Sequence, residues 1–226
     1  MATFTESTLR TRTRQMADMV NSTFVTDTEL RDYLNSAISE LHDIVVEKYE
    51  DYYVSTSDTM DLSSTDSFSL PTDFYKALGV DLNVGGNTYS LKNYSFQERN
   101  RHKASLYSGD RLYAETQYHI QGSNIKFIPS DGSGTATLYY VPVATQLSGS
   151  VTQVESIIPG YEEYIVTTAG ISCLLKEESD VQMHLARKAE LRNRIESAAG
   201  KRNAGDSYAL YDVDTGGPYR SGSFGY

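Results

Sequence analysis

The chain of 226 residues has one cysteine, no tryptophan and five prolines. Cys173 has no partner for an internal disulfide, so no covalent staple can hold this fold. Its setting in an apolar stretch marks it as a small core hydrophobe rather than a reactive thiol. No apolar run reaches the ~20 residues needed to cross a bilayer, and no secretory leader is recognisable. The expectation is a soluble protein, with no membrane partner, that matures in a reducing cytoplasm or in a particle assembled there. Motifs of chemistry are missing too: no G-x-S-x-G, phosphate loop, dinucleotide fingerprint, H-E-x-x-H or C-x-x-C occurs. His42, His102, His119 and His184 fall on separate segments and read as surface or half-buried side chains, not ligands. Asp212 and Asp214 precede Gly216-Gly217 without the remaining ligands of a calcium loop. No metal or cofactor is implied, and no catalytic residue.

Acid is plentiful: 30 Asp and Glu against 20 Lys and Arg give a net charge of −10. That balance argues against wrapping nucleic acid by phosphate neutralisation. Eleven carboxylates lie between Asp27 and Asp66 against two bases, Arg31 and Lys48, so one segment carries most of the charge. Tyrosine dominates the aromatics, 18 against 7 Phe. Tyrosine suits half-buried surfaces of the kind that protein contacts use.

The densest helical signal runs from Pro159 to Ala199. Tyr161, Tyr164, Ile165, Val166, Ala169, Ile171, Cys173, Leu174 and Leu175 surround a helix with apolar groups, which belongs inside a core. Glu162 and Glu163 put negative charge in its first turn, where the helix dipole favours it. Adjacent acids point to different helix faces, so these and Glu177-Glu178 read as dipole and solubility charges rather than an acid–base pair. After Ser179-Asp180 a second helix is expected over 181–199, its apolar side formed by Val181, Leu185, Ala189, Leu191 and Ile195.

At the other end a short helix is expected over Leu9–Val20, with Arg10, Arg12 and Arg14 fanned for solvation or protein contact. Thr26 and Glu29 form a capping box ahead of a strongly periodic helix. Leu30, Tyr33, Leu34, Ala37, Ile38, Leu41, Ile44 and Val45 mark its apolar face, and most of its acids lie opposite. Leu34, Ile38, Leu41, Ile165, Leu174 and Leu175 are expected to share one core.

Between the helix pairs the period changes to alternation. Strands are expected at 53–56, 67–71, 75–84, 88–92, 113–121, 124–129 and 135–141, with a hairpin turn at Gly85-Gly86-Asn87. Ser95–Ser105 reads as a short helix carrying the basic run Arg99, Arg101, His102 and Lys103, equally a solvated loop or a contact for something anionic. The fold class is therefore α+β. Units are expected at 1–50 and 151–200 (a helical bundle), 51–150 (an inserted antiparallel β module) and 201–226. That last stretch mixes glycine with Tyr208, Tyr211, Tyr219, Phe224 and Tyr226 and has no periodicity, so it reads as an extended or flexible arm, either disordered or folded onto a partner.

Three phrases resemble one family. T-D-T-E-L-R-D-Y-L-N-S-A-I-S-E-L (26–41), S-L-P-T-D-F-Y-K (69–76) with F-Q-E-R-N-R (96–101), and G-Y-E-E-Y-I-V-T-T-A-G-I-S-C-L-L-K-E-E-S-D (160–180) are similar to head-to-tail adaptor, or connector, proteins of tailed bacteriophages. The resemblance implies a structural virion protein of the neck, made in the host bacterial cytoplasm. It implies a homo-oligomeric ring, commonly of about twelve copies, beneath the portal protein and around passing double-stranded DNA. Such a ring receives the next tail or nozzle protein. A subunit interface of Glu40, Asp43 and Glu47 against Arg99, Arg101 and Lys103 of a neighbour would suit it. The arm would reach portal or neighbour through Tyr208, Tyr211, Tyr219, Arg220, Phe224 and Tyr226. A tail nozzle or tube subunit is the alternative, and a neck-associated hydrolase using paired carboxylates a third.

Overall fold

The computed structural model describes residues 4–99, 116–129, 133–154 and 158–199. The α+β class holds: those residues form four α-helices and several small sheets. Helix α1 (Glu6–Met16) begins earlier than the apolar pattern indicated, because Thr5 caps it by accepting from Thr8 N. It also ends earlier, where Asp18 turns to a φ of 54°. Helix α2 (Asp27–Lys48) opens on the expected box: Thr26 Oγ1 accepts from Glu29 N and Glu29 Oε2 accepts from Thr26 N, at 3.3 and 2.9 Å. Helices α3 (Glu162–Lys176) and α4 (Gln182–Ala199) meet at a turn where Glu178 has a φ of 62°.

All four helices contribute to one core. Leu9, Leu30, Leu34, Ile38, Leu41, Ile165, Leu174, Leu191 and Ile195 are buried in the same cluster. Burying each such side chain contributes about 1.5–3 kcal/mol before entropy is charged against it. Helix α3 is the centre, buried from Tyr164 to Thr167 and again at Ala169, Gly170, Ile171, Cys173 and Leu174. Gly170 lets α1 come close: a Cβ there would land on the Met16 sulfur.

Three side chains expected on apolar faces are exposed. Leu175 is 58% exposed, because it closes α3 on the side away from the core. Leu185 and Ala189 are exposed as well, which narrows the seam of α4 to Val181, Leu191 and Ile195. Much of the rest of that helix is held by long basic side chains: Lys188 to Glu40, Arg187 to Glu163 and Arg194 to the Gly160 carbonyl. Such side chains span a gap that apolar ones would have to close.

The inserted segment forms two sheets around a second core of Val80, Leu82, Ile125, Phe127, Ala136 and Leu138. Strands β2 (Ser55–Thr56) and β3 (Met60–Asp61) come first, then β4 (Ser67–Ser69), β5 (Phe74–Val84), β6 (Asn87–Ser90) and β7 (Lys92–Asn93). After them come β8 (Gln117–Gln121), β9 (Asn124–Ile128) and β10 (Thr135–Pro142). One sheet has the order β2-β10-β5-β6, with β3 also on β10; the other is β4-β9-β8-β7. The hairpin β5–β6 turns at Gly85 and Gly86, both with the positive φ such a turn requires. The expected strand 88–92 is split, since Leu91 donates to Val80 and sends β7 to the other sheet, where it pairs with β8 in parallel. Within 95–105 the described part, 95–99, holds a 3₁₀ turn, Phe96–Glu98; residues 100–105 lie outside the described residues, as does 113–115 of the expected strand.

Three short strands have no counterpart in the sequence reading, β3 and two that pair with each other. Strand β1 (Phe4–Thr5) pairs with β11 (Gln153–Val154), and Glu6 N donates to Thr152 O. The start of the chain is thereby fastened to the segment that returns from the sheets to α3.

Candidate interaction surfaces

Arg10, Arg12 and Arg14 are committed to their own subunit. Arg14 donates to the carbonyls of Ser22 and Val25 at 2.9 and 2.8 Å and to Asp27, clamping the α1–α2 loop. Arg10 reaches Glu6 and Asp27, and Arg12 lies 3.5 Å from Glu162. Arg31 donates to the buried Glu6 at 2.9 Å. Pairing with Arg10 lowers Asp27 below the usual carboxylate range; burial opposes it, and Arg14 adds to the lowering.

The three acids proposed from α2 differ in circumstance. Glu40 is half-buried: one oxygen accepts from Tyr164 Oη at 2.5 Å and the other from Lys188 Nζ at 2.9 Å. Burial pushes its carboxyl up, but these two donors prevail and hold it below the ordinary value. Asp43 is exposed and accepts from Tyr75 Oη at 2.8 Å, which raises the Tyr75 hydroxyl. Glu47 is exposed beside Lys48 at 3.2 Å. Arg99 lies 4.3 Å over the Phe96 ring and donates to the Phe96 carbonyl. Arg101 and Lys103 lie outside the described residues, as do Tyr208, Tyr211, Tyr219, Arg220, Phe224 and Tyr226. Within the described chain, Arg99 is not brought onto any of the three acids.

Where α2 meets the sheets, His42 goes deeper than its sequence setting indicated, at 7% exposure. Its ring stacks on Tyr53 at 4.9 Å and meets Tyr75 edge-on at 5.3 Å. Nε2 has no hydrogen-bond partner, and the ring borders a cavity of about 60 Å³ walled by Ile38, Leu41 and the backbone turn from Pro142 to Thr145. Burial pulls the imidazole below its ordinary value; Asp43 and the Pro142 carbonyl oppose that more weakly. Asn35, one turn of helix away from Ser39, both accepts from Leu147 N and donates to Leu147 O, at 2.7 and 2.9 Å. A polar side chain inside an otherwise periodic helix was the available signal for that clasp.

At the far end of the bundle five large apolar side chains are exposed: Val20, Phe24, Leu175, Met183 and Leu185. Lys176 ties this end together, donating to the Phe24 carbonyl at 2.9 Å and to Glu29 at 2.8 Å. That bond, with the donors of Thr26, draws Glu29 down to about 2. A separate groove of about 490 Å³ opens between the two sheets, its apolar lining including Met60, Phe68, Leu70 and Pro71 beside Ser57 and Asp58.

Among the described residues no three or more His, Cys, Asp or Glu side chains converge as metal ligands would, and no helix is long and apolar enough to cross a membrane. The features that stand out on this fold are contact surfaces: an acidic helix edge, an apolar bundle end and an open sheet groove. The protein is a structural adaptor of bacteriophages. More particularly, the chain belongs to the SU10 adaptor protein family, whose model matches residues 4–216. A comparison with curated proteins finds no match.

Proposed function

We propose that this protein forms the head-to-tail adaptor ring of a phage neck, joining the portal protein to the next tail or nozzle protein and surrounding the DNA channel. The family match over residues 4–216 carries this reading. A ring subunit needs two different complementary faces, because a heterologous interface closes only if unlike surfaces meet. Asp43 and Glu47 are exposed at the acidic edge, with Glu40 braced beneath them; Arg99, Arg101 and Lys103 of a neighbour supply the opposite charge. Carboxylates left over on such a ring repel phosphate, so DNA slides through rather than sticking. The helical parts (1–50 and 151–200) make the ring body and the segment 51–150 projects from it. The aromatic stretch 201–226 makes contacts beyond the subunit. No catalytic role is assigned.

Mixing purified protein with portal protein and imaging the product tests this directly. The expected particle is a ring of about twelve copies seated on the portal. Portal that stays bare, at concentrations where both proteins remain folded, would overturn the proposal.

A further inference from the structure

The end of α4 lies beside the sheets. Helices α2 and α4 run parallel, since Glu40 pairs with Lys188 while the charges of Glu47 and Lys48 act on Arg192 and Glu196 further along. Lys48 ends α2, and β2 begins seven residues later. The chain beyond Ala199 therefore leaves the bundle at the β end. Residues 200–226 number 27 and, fully extended, span up to about 90 Å at roughly 3.3 Å each. A module of a hundred residues has a radius of gyration of only ~13 Å, so this length reaches a neighbouring subunit with chain to spare.

The groove between the sheets is bordered by open strand edges. Among the described residues, strands β2 and β3 pair only with β10, and β4 pairs only with β9, so the two sheets face each other there without joining. On the β2–β3 side the chain bulges at Ser57, whose Oγ accepts from Leu138 N while its own N–H donates to Leu138 O. An apolar lining flanked by unpaired backbone edges is the arrangement that takes up an extended peptide, with main-chain bonds for affinity and a pocket for alternate side chains. The C-terminal stretch fits that chemistry. It spaces aromatic residues among glycines, and Lys201, Arg202 and Arg220 balance Asp206, Asp212 and Asp214. A neutral strand enters an acidic protein without repulsion.

We propose that this groove is the receptor for the C-terminal stretch, residues 201–226, of a neighbouring copy, taken in as an added strand with an aromatic ring against the groove's apolar lining. The inference rests on the ring reading, in which a strand passed from each copy to the next is a heterologous contact that closes.

The test uses the full-length chain with the exposed Ser69, on the groove rim, replaced by photoreactive p-benzoylphenylalanine. Copies with ordinary and heavy nitrogen are mixed in equal amounts, allowed to assemble, irradiated and mapped by mass spectrometry. The expected crosslinks join the Ser69 position to residues 201–226, with pairs carrying both isotopes. Crosslinks to another segment, to the same copy's C-terminus alone, or none at all overturn the proposal. Ser69→Trp, which fills the groove from its rim, should abolish protection of Arg220 against trypsin in the assembled protein while leaving the melting temperature unchanged. Equal cleavage in variant and wild type counts against it. Native mass spectrometry of the same samples separates the two claims. A ring without these crosslinks removes the groove inference and leaves the adaptor reading; no ring, with portal present, removes both.

Discussion

The hydroxyl of Tyr164, a side chain with no exposed surface, donates to Glu40 across 2.5 Å while Lys188 holds the other carboxylate oxygen. Three helices thus converge on one carboxylate. Tyr164→Phe should cost about 1.5–3 kcal/mol in urea unfolding, the usual worth of a hydrogen bond to a charged group. Glu40→Ala strands both donors and should cost at least as much. The double variant should fall short of the sum by about 0.5–3 kcal/mol. Strict additivity would show that the bond contributes nothing.

Leu41 faces the shared core at 3% exposure and also walls the small cavity beside His42. Leu41→Ala should lower stability by about 2–5 kcal/mol, toward the upper end because the new void joins an existing one. A chemical-denaturation loss below about 1 kcal/mol would show that this wall collapses freely.

His42 gives the protein a pH dependence of definite sign. Burial lowers its folded value below the ordinary 6.5, so the folded state prefers the neutral ring. The stability it contributes is complete above about 6.5 and is lost as pH falls through the lower folded value. Glu29, drawn to about 2, acts in a different window: its contribution fades only as pH drops from 4.5 toward that value. Melting temperature should therefore decline as pH falls below about 6.5, and His42→Phe should flatten that decline. An unchanged slope in the variant would assign it to other groups.

Gly170 of α3 faces Met16 of α1 with no room for a Cβ between them. Gly170→Leu should destabilise by about 1–3 kcal/mol through overpacking. Adding Met16→Ala should recover part of that loss, because the flexible thioether is what a new side chain meets first. Thermal melts of the two single variants and the double one decide it.

The helices were legible because periodicity and capping are local. Thr26 with Glu29, and the apolar face from Leu30 to Val45, needed no knowledge of the fold. The limits of α4 were legible too, 181–199 expected against Gln182–Ala199, but its buried face was not. Leu185 looks like a core residue until one knows that Lys188 and Arg187 hold the helix from its polar side. The β1–β11 pair is two residues long on each side and its partners Phe4 and Val154 lie 150 positions apart, so no local pattern announces it. On the acidic face, composition showed which residues carry charge. Only the fold separates Glu40, spent inside the subunit, from Glu47, which points outward.

The β module is joined to the bundle by two covalent legs, one leaving α2 and one returning to α3. Asn35 grips the second leg at Leu147 from both sides of its peptide, and Tyr75 and Lys76 brace the first at Asp43 and Glu50, each at 2.8 Å. A body hung on a single strand swivels; one hung on two braced legs resists torque. Twisting the module about the bundle axis would load the Asn35 clasp and the Tyr75 brace together, so neither can peel open before the other. In the ring proposed above, such a mounting would pass sideways force into the helices instead of letting the module swing into the channel.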